Sequence, residues 1–359
     1  MAAFVVLLVA VWGVGFLWLR GDLGPGSDMA DAVDAIPKAS PNASPDASPS
    51  ATASPASEAP SAAPAEEYTG QVNPADERKQ VDVNPSFARP LPLALPPVAQ
   101  FTMASFNLLG SSHTNRGGHS ARLASGPQRI PGALALMDQH GISVVGLQEF
   151  QPDQRATFQR QATGWAMYPG LSLGRRAGEN SVAWRVDTWQ LVKPGLVDIP
   201  YFNGRIRPMP YVLLQHNQTG VLAYFSTFHN PANIRGNMQR WRNEATRRQI
   251  NLFNRLEALG IPQFVTGDMN ERDEYFCKVT RATPLVAAAG GSNNGGCAPP
   301  RPTQIDWIFG SPQVVFSRYV VDRSPLVRRT SDHPVVAATV TVDALKYPKA
   351  YQPVVPIVP

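Results

Sequence analysis

The sequence predicts a mixed α/β sandwich, preceded by an apolar segment and a proline-rich linker. Three observations predict it. Helical patterns alternate with buried strands early in the globular region, and strand hairpins appear later. Several strands also end in a carboxylate, an amide or an imidazole. A purely parallel sheet would not carry the hairpins.

The chain has 359 residues, a formal charge of +5 and 35 prolines, unevenly placed. A mildly basic balance favours meeting a polyanion without naming one. Residues 1–19, MAAFVVLLVAVWGVGFLWL, are almost wholly apolar and long enough to span a bilayer as a signal anchor or long signal peptide. No Lys or Arg precedes this run and Arg20 follows it, so the positive-inside rule taken literally would leave the C-terminal side in the cytoplasm. A start further upstream would supply the missing basic region. No small-residue cleavage site follows, which favours an anchor. From Asp31 to Glu67 the ASP triplet recurs without apolar period. Such a stretch buries too little surface to offset its ordering entropy, and reads as a linker or semi-extended stalk. The expected organisation is an anchor or signal over 1–20, a linker over 21–95, one domain over 96–347 and a proline-rich tail over 348–359. The expected location is the cell membrane, with the domain outside the cytoplasm, or secretion. The two cysteines, Cys277 and Cys297, then suggest one disulfide. It would close a Gly/Asn/Pro-rich loop, worth about 3 kcal/mol in the chain-entropy model. No CxxC or Cys/His cluster supports a zinc site.

The elements follow in order. FTMASFNLL (101–109) alternates like a strand, and a Gly/Ser/His loop follows that contains His113 and His119. PGALALMDQHG (131–141) opens with proline and closes with glycine, as a helix does. ISVVGLQEF (142–150) is a buried strand, QPDQRATFQRQA is helical, and SVAWRV (181–186) is a short strand. YVLLQH and GVLAYFSTFH form a hairpin through residues 217–219. Residues 237–259 make a long basic amphipathic helix, and FVTGD, QIDWIFG and HPVVAATVTV are further strands.

Polar residues stand at corresponding places on these strands: Asn107, Gln148-Glu149, His229-Asn230, Asp268 with Asn270, Asp306, and Ser331-Asp332-His333. Ligand sites in layered α/β folds gather where strands meet loops at one edge. The ordered set FN, QE, FH, GDMN, ID and SDH resembles the endonuclease/exonuclease/phosphatase superfamily, also called DNase I-like, over residues 100–342. GDxN or SDH alone is a weak pattern; six in the family's order are specific. The resemblance implies a four-layered α/β sandwich, two mixed β-sheets packed face to face with helices outside.

It also implies hydrolysis of phosphoester bonds with Mg²⁺ or Mn²⁺. Asn107, Glu149 and Asp332 would be the metal ligands, an amide and two carboxylates that suit a hard dication. Asp268 would orient or deprotonate the attacking water, with Asn270 fixing its geometry. His333 would contact the phosphate or shuttle protons, oriented by Asp306. His229 matches a histidine of the DNase and sphingomyelinase branches, a phosphate contact and candidate general acid, which AP endonucleases lack. An arginine that DNases often carry soon after the QE glutamate is absent from QEFQPDQ, so substrate grip differs. The cysteine pair resembles the disulfide following GDxN in pancreatic-type DNases.

Asn180, before SVAWR, and Arg207 are weaker substrate-binding candidates, as is Arg205. Arg240, Arg242, Arg247 and Arg248 on the basic helix read as a charged outer face. Residues 170–174 fit GxSxG, but no strand precedes them and no helix follows, as a nucleophile elbow requires. No P-loop or Rossmann fingerprint occurs. Three functions compete: a nuclease-like phosphodiesterase, a lipid-headgroup or small-molecule phosphodiesterase or phosphatase, and a non-catalytic binding module. A phosphodiester substrate, nucleic acid favoured, is the expected partner, with the membrane met through the N-terminal segment and the chain a monomer. The retained acids argue against a decayed enzyme.

Overall fold

A computed structural model describes residues 97–174 and 179–351. The expected anchor and linker, and the tail from 352, lie outside the described residues. Among the described residues no helix is long and apolar enough to cross a membrane.

β1 (Val98–Asn107) leads through the short α1 (Ser111–Thr114) into α2 (Gly126–Gln139). β2 (Ile142–Gln148), α3 (Pro152–Gln161), β3 (Trp165–Tyr168) and β4 (Ser181–Arg185) follow. β5 (Trp189–Pro200), β6 (Ile206–His216) and β7 (Leu222–His229) form a meander, closed by α4 (Gln239–Glu257) and β8 (Gln263–Asp268). α5 (Asp273–Ala282), β9 (Val286–Ala287), β10 (Asp306–Gly310), β11 (Val315–Asp322), α6 (Pro325–Thr330) and β12 (Val335–Asp343) complete the fold. α2 begins before Pro131, where the sequence pattern starts it. Ser125 and Gln128 form a capping box, so Pro131 lies inside the helix. Packing also continues past 347, where Ala350 is fully buried and Tyr351 bridges to Val221.

The strands form two six-stranded sheets, ordered β11-β12-β1-β2-β4-β3 and β5-β6-β7-β8-β10-β9. Each has the same pairing: antiparallel except for one central parallel pair, β1 with β2 and β7 with β8. The predicted sandwich of two mixed sheets with helices is therefore present. α2 packs over the outer face of the first sheet, where Ile130, Ala133, Leu136 and Met137 meet Ala104, Phe106, Val145 and Leu147. Apolar residues of α4 and α5, among them Leu252, Phe253, Tyr275 and Phe276, are buried with the second sheet. Between the sheets Phe101 packs edge-on against Trp189, Phe225 and Phe264.

The period of two along a strand sorts these faces. The row facing the opposite sheet runs Phe101, Met103, Ser105, Asn107 on β1 and Val144, Gly146, Gln148 on β2. On β7 it runs Phe225, Thr227, His229, and on β8 Phe264, Thr266, Asp268. Each row changes from large apolar to small or hydroxylic to chemically active toward the C-terminal end of its strand. The sheets come close where the rows are small. A Cβ on Gly146 would stand 1.9 Å from Thr266 Oγ1 and 2.6 Å from Thr227 Oγ1. Gln148 Nε2 spans the same gap to Thr227 Oγ1 at 2.8 Å.

Cys277 on α5 and Cys297 form the expected disulfide, with their Cα atoms 5.6 Å apart. It ties the glycine-rich connection before β10 to α5. Two stability results follow. Gly146→Ala lowers unfolding free energy by about 1–3 kcal/mol through overpacking, read by urea denaturation, and a second change, Thr266→Ala, restores part of it. Replacing both cysteines by serine costs about 3 kcal/mol in the same assay by the chain-entropy estimate.

Candidate active site

The polar ends of the inward rows meet because of strand direction. β1 and β2 run parallel, as do β7 and β8, so their C-terminal ends lie at one edge of each sheet. β10 runs antiparallel to β8, which sets Asp306, at its start, directly beside Asp268. β12 runs antiparallel to β1, so the segment preceding it, with Asp332 and His333, arrives at the same edge.

Asn107, fully buried, ties the two sheets together. Its Nδ2 donates to Glu149 Oε1 at 3.0 Å and to Asp268 Oδ2 at 3.2 Å. Its Oδ1 accepts from the Leu109 amide at 2.9 Å. The amide therefore turns hydrogens, not oxygen, toward the carboxylates, and ligation of a cation by Asn107 requires the amide to turn. Glu149 Oε2 accepts from the Gly110 amide at 2.9 Å and lies 3.2 Å from His113 Nε2. Burial pushes the Glu149 carboxyl up, but the His113 hydrogen bond, the His229 charge and the Gly110 and Asn107 donors outweigh it and hold it well below the usual carboxylate range.

Asp268, 2% exposed, is the meeting point. Its Oδ1 accepts from the Asn270 amide at 3.0 Å. Its Oδ2 lies 3.5 Å from His229 Nε2 and 3.6 Å from His333 Nε2. The far nitrogen of each imidazole is held. His333 Nδ1 sits 3.0 Å from both Asp306 oxygens, and His229 Nδ1 lies 3.5 Å from the Tyr201 hydroxyl. Burial, reinforced by the Glu149 and Asp268 charges, keeps the Tyr201 phenol neutral. Burial also raises the Asp306 carboxyl. Burial works against a charged His333, but Asp306 and then Asp268 and Asp332 overcome it and raise the imidazole to about 10. Asp268, Asp306 and His333 offer ligand atoms all within 4.8 Å of one another, a spacing that a metal ion can bridge. The donors of the whole site, carboxylate oxygens with imidazoles beside them, fit a hard dication such as Mg²⁺.

The backbone around these groups is strained or clamped. Leu109, Glu149 and Asn270 have φ of 53°, 51° and 50°, left-handed positions directly after β1, β2 and β8. Such positions cost roughly 1–3 kcal/mol each and persist only where the surroundings enforce them. The buried Arg129 donates to the carbonyls of Leu108, Leu109 and Thr330, and the Ser331 hydroxyl donates to the Asn107 carbonyl at 2.6 Å. Asn270 Nδ2 donates to the Asn230 carbonyl at 2.8 Å. These contacts fasten the β1 junction to the segment before β12, and the β8 junction to the end of β7.

Over the site lies a cleft of about 530 Å³. Glu149, His229, Asp268, Asn270, Asp332 and His333 line it, so six of the expected site residues share one surface. Asp306 and Asn107 stand behind them. Arg207 also lines the cleft, whereas Asn180 is buried at the start of β4 and its neighbour Glu179 is the lining residue. His113 and His119 line it too, their rings 4.5 Å apart. Sequence reading missed Tyr201, Phe202 and Arg235, which carry no motif and reach the cleft from the β5–β6 turn and the β7–α4 connection. The arginines that line the cleft, Arg207 and Arg235, come from other loops, and Gln151 lies on the wall after Glu149. Ser172 of the GxSxG match donates to the Pro169 carbonyl within a turn, and no elbow is formed.

Two six-stranded mixed sheets with this set of acids and imidazoles at one edge define a phosphoesterase fold. The Endonuclease/Exonuclease/phosphatase family pattern matches residues 104–333, and the chain belongs to that family. Among solved structures it is similar to an endonuclease/exonuclease/phosphatase family protein of Bacteroides thetaiotaomicron, at 19% identity and TM-score 0.53, covering 69% of this chain and 99% of that one. It is also similar to a mannosyl-6-phosphatase of the same organism, at 21% identity and TM-score 0.50, over 67% of this chain and 99% of that one. A third is the human Nocturnin catalytic domain with bound sulfate, at 16% identity and TM-score 0.52, over 68% and 98%. At these identities the likeness shows the fold. No curated protein matches the chain.

The raised His333 fixes a pH dependence. A group whose folded pKa exceeds its unfolded value stabilises fully below the unfolded value of about 6.5 and loses that contribution as pH rises through about 10. In metal-free buffer, the stability difference between the wild type and His333→Gln is largest at pH 6 and shrinks steadily to pH 10, as urea unfolding at each pH will read.

Proposed function

We propose that the protein is a metal-dependent phosphodiesterase that acts outside the cytoplasm, with nucleic acid as the favoured substrate class. The observation that carries this reading is the convergence of His229, His333 and Asn107 on one oxygen of Asp268, inside an open cleft edged by arginines. Family membership supports a phosphoester as the bond broken. The apolar N-terminal segment and the disulfide support an extracytoplasmic location.

In this reading Glu149 and Asp332 hold Mg²⁺ or Mn²⁺, joined by Asn107 once its amide turns. The ion supplies polarisation of the phosphoryl oxygen and charge neutralisation. We favour this position over Asp268, Asp306 and His333, because the His333 ring is already bound to Asp306 through Nδ1 and turns Nε2 toward Asp268. Asp268, positioned by the Asn270 amide, orients a water and accepts its proton. His333, held by Asp306, donates to the phosphoryl oxygens as negative charge grows there. His229, braced by Tyr201, faces the leaving oxygen and returns a proton to it.

A lipid headgroup is the second reading, favoured by one observation: Ile234, 72% exposed, lines the cleft. The purified protein should cleave plasmid DNA, RNA, sphingomyelin and bis-p-nitrophenyl phosphate unequally and only with Mg²⁺ or Mn²⁺. Asp268→Asn should lower kcat by about 10²–10⁴-fold, the range for loss of a positioned acid or base. Cleavage of sphingomyelin alone selects the lipid reading. Turnover that survives chelation or Asp268→Asn rejects the mechanism.

A further inference from the structure

A side pocket of about 90 Å³ adjoins the cleft, lined by Tyr201, Phe202, Asn203, Arg205, Arg207 and Arg235. Its volume is enough for a tetrahedral oxyanion. Among the described residues, Arg205, Arg207 and Arg235 have no carboxylate within 4.0 Å, whereas nearby Arg242, Arg247 and Arg248 all pair with glutamates. Three uncompensated guanidiniums in one concavity repel one another, and an anion relieves that repulsion.

Arg207 and Arg235 are held against aromatic rings without being neutralised. Arg207 Cζ lies 5.8 Å from the Tyr201 ring and Arg235 Cζ 5.5 Å from the Phe202 ring. The two rings are 4.5 Å apart, so the four side chains stand in file: Arg207, Tyr201, Phe202, Arg235. The turn beneath them is closed by the Tyr201 amide donating to the Arg205 carbonyl at 2.7 Å. Gly204 in that turn abuts Trp241 of α4, where a Cβ would come within 2.7 Å of the indole. Cation–π contact leaves the guanidinium N–H groups available for phosphate oxygens. Tyr201 belongs to both concavities, and its hydroxyl reaches His229.

We infer that this side pocket is an anion subsite for a second, non-scissile phosphate of the substrate, one sugar away from the ester that is cleaved. The inference rests on the proposed phosphodiesterase reading for the scissile position, but the subsite can be tested without turnover. The second phosphate comes either from the neighbouring nucleotide of a single strand or from a small bisphosphate.

Two substrates decide it: thymidine 5′-(p-nitrophenyl phosphate), and the same ester carrying a 3′-phosphate. The wild type should prefer the second by at least tenfold in kcat/KM. In Arg205→Ala/Arg235→Ala, with its melting temperature checked against the wild type, that ratio should fall towards one. Equilibrium binding in metal-free buffer gives the turnover-independent reading. Thymidine 3′,5′-bisphosphate should bind at least tenfold tighter than thymidine 5′-monophosphate, and the double variant should lose the difference. An absence of turnover on both esters rejects the phosphodiesterase reading alone, since bisphosphate preference in binding still establishes the subsite. If labelled octathymidylate binds more tightly than the bisphosphate, with a salt dependence that the variant reduces, the source is a strand. If the bisphosphate binds equally well, it is a small molecule. Equal affinity for mono- and bisphosphate, or a preference that survives in the variant, overturns the subsite. So does arginine-dependent binding to phosphatidylglycerol vesicles without any bisphosphate preference.

Discussion

One hydrogen-bonded bridge underlies the site: the buried Asn107 amide, which reaches from the first sheet to Asp268 on the second while holding Glu149 beside it. Stacked sheets ordinarily lie about 10 Å apart, too far for one short side chain to join their backbones' functional ends. Here Ser105, Gly146, Thr227 and Thr266 replace bulky residues just below the site, and the sheets close on one another. The aromatic core around Phe101 fills the space deeper in, so the same strands supply both a thick core and a thin rim.

The electrostatics follow from that geometry. Bringing the strand ends together concentrates Glu149, Asp268 and Asp306 where burial penalises their charge. The protein compensates locally with His113 on Glu149, His333 on Asp306 and His229 between Glu149 and Asp268. Acids and imidazoles therefore alternate around the rim within hydrogen-bonding or ion-pair distance of one another. The left-handed residues at Leu109, Glu149 and Asn270 and the clamp made by Arg129 show where backbone strain is spent to keep that spacing.

Each sheet repeats one scheme, a parallel pair flanked on both sides by antiparallel strands. The parallel pairs deliver C-terminal ends to the rim and the antiparallel neighbours deliver N-terminal starts. This is why motifs both at the ends of strands, such as GDMN, and before strands, such as SDH, serve one cleft. The β5–β6 turn and the β7–α4 connection, which carry Tyr201, Phe202 and Arg235 to the cleft, lie outside this scheme.

The sequence by itself determined the eight inner strands, the order of the site motifs and the disulfide. Inner strands are covered on both faces, or line the core with a strict period of two, so their burial leaves an apolar signature. The four strands absent from that reading, β3, β5, β9 and β11, are the four sheet edges. β5 carries Pro194 and Gly195 in its middle, tolerated because an edge strand leaves one row of hydrogen bonds unmade and because the Tyr211 ring covers the glycine. α1 and α6, of four and six residues, are too short to show a helical period. Only the tertiary structure decided that Tyr201 braces His229, that His113 meets Glu149 and that arginines from separate loops share one concavity. Those contacts join residues far apart in the chain through loops without periodicity, and nothing local in a sequence encodes which loops will face each other.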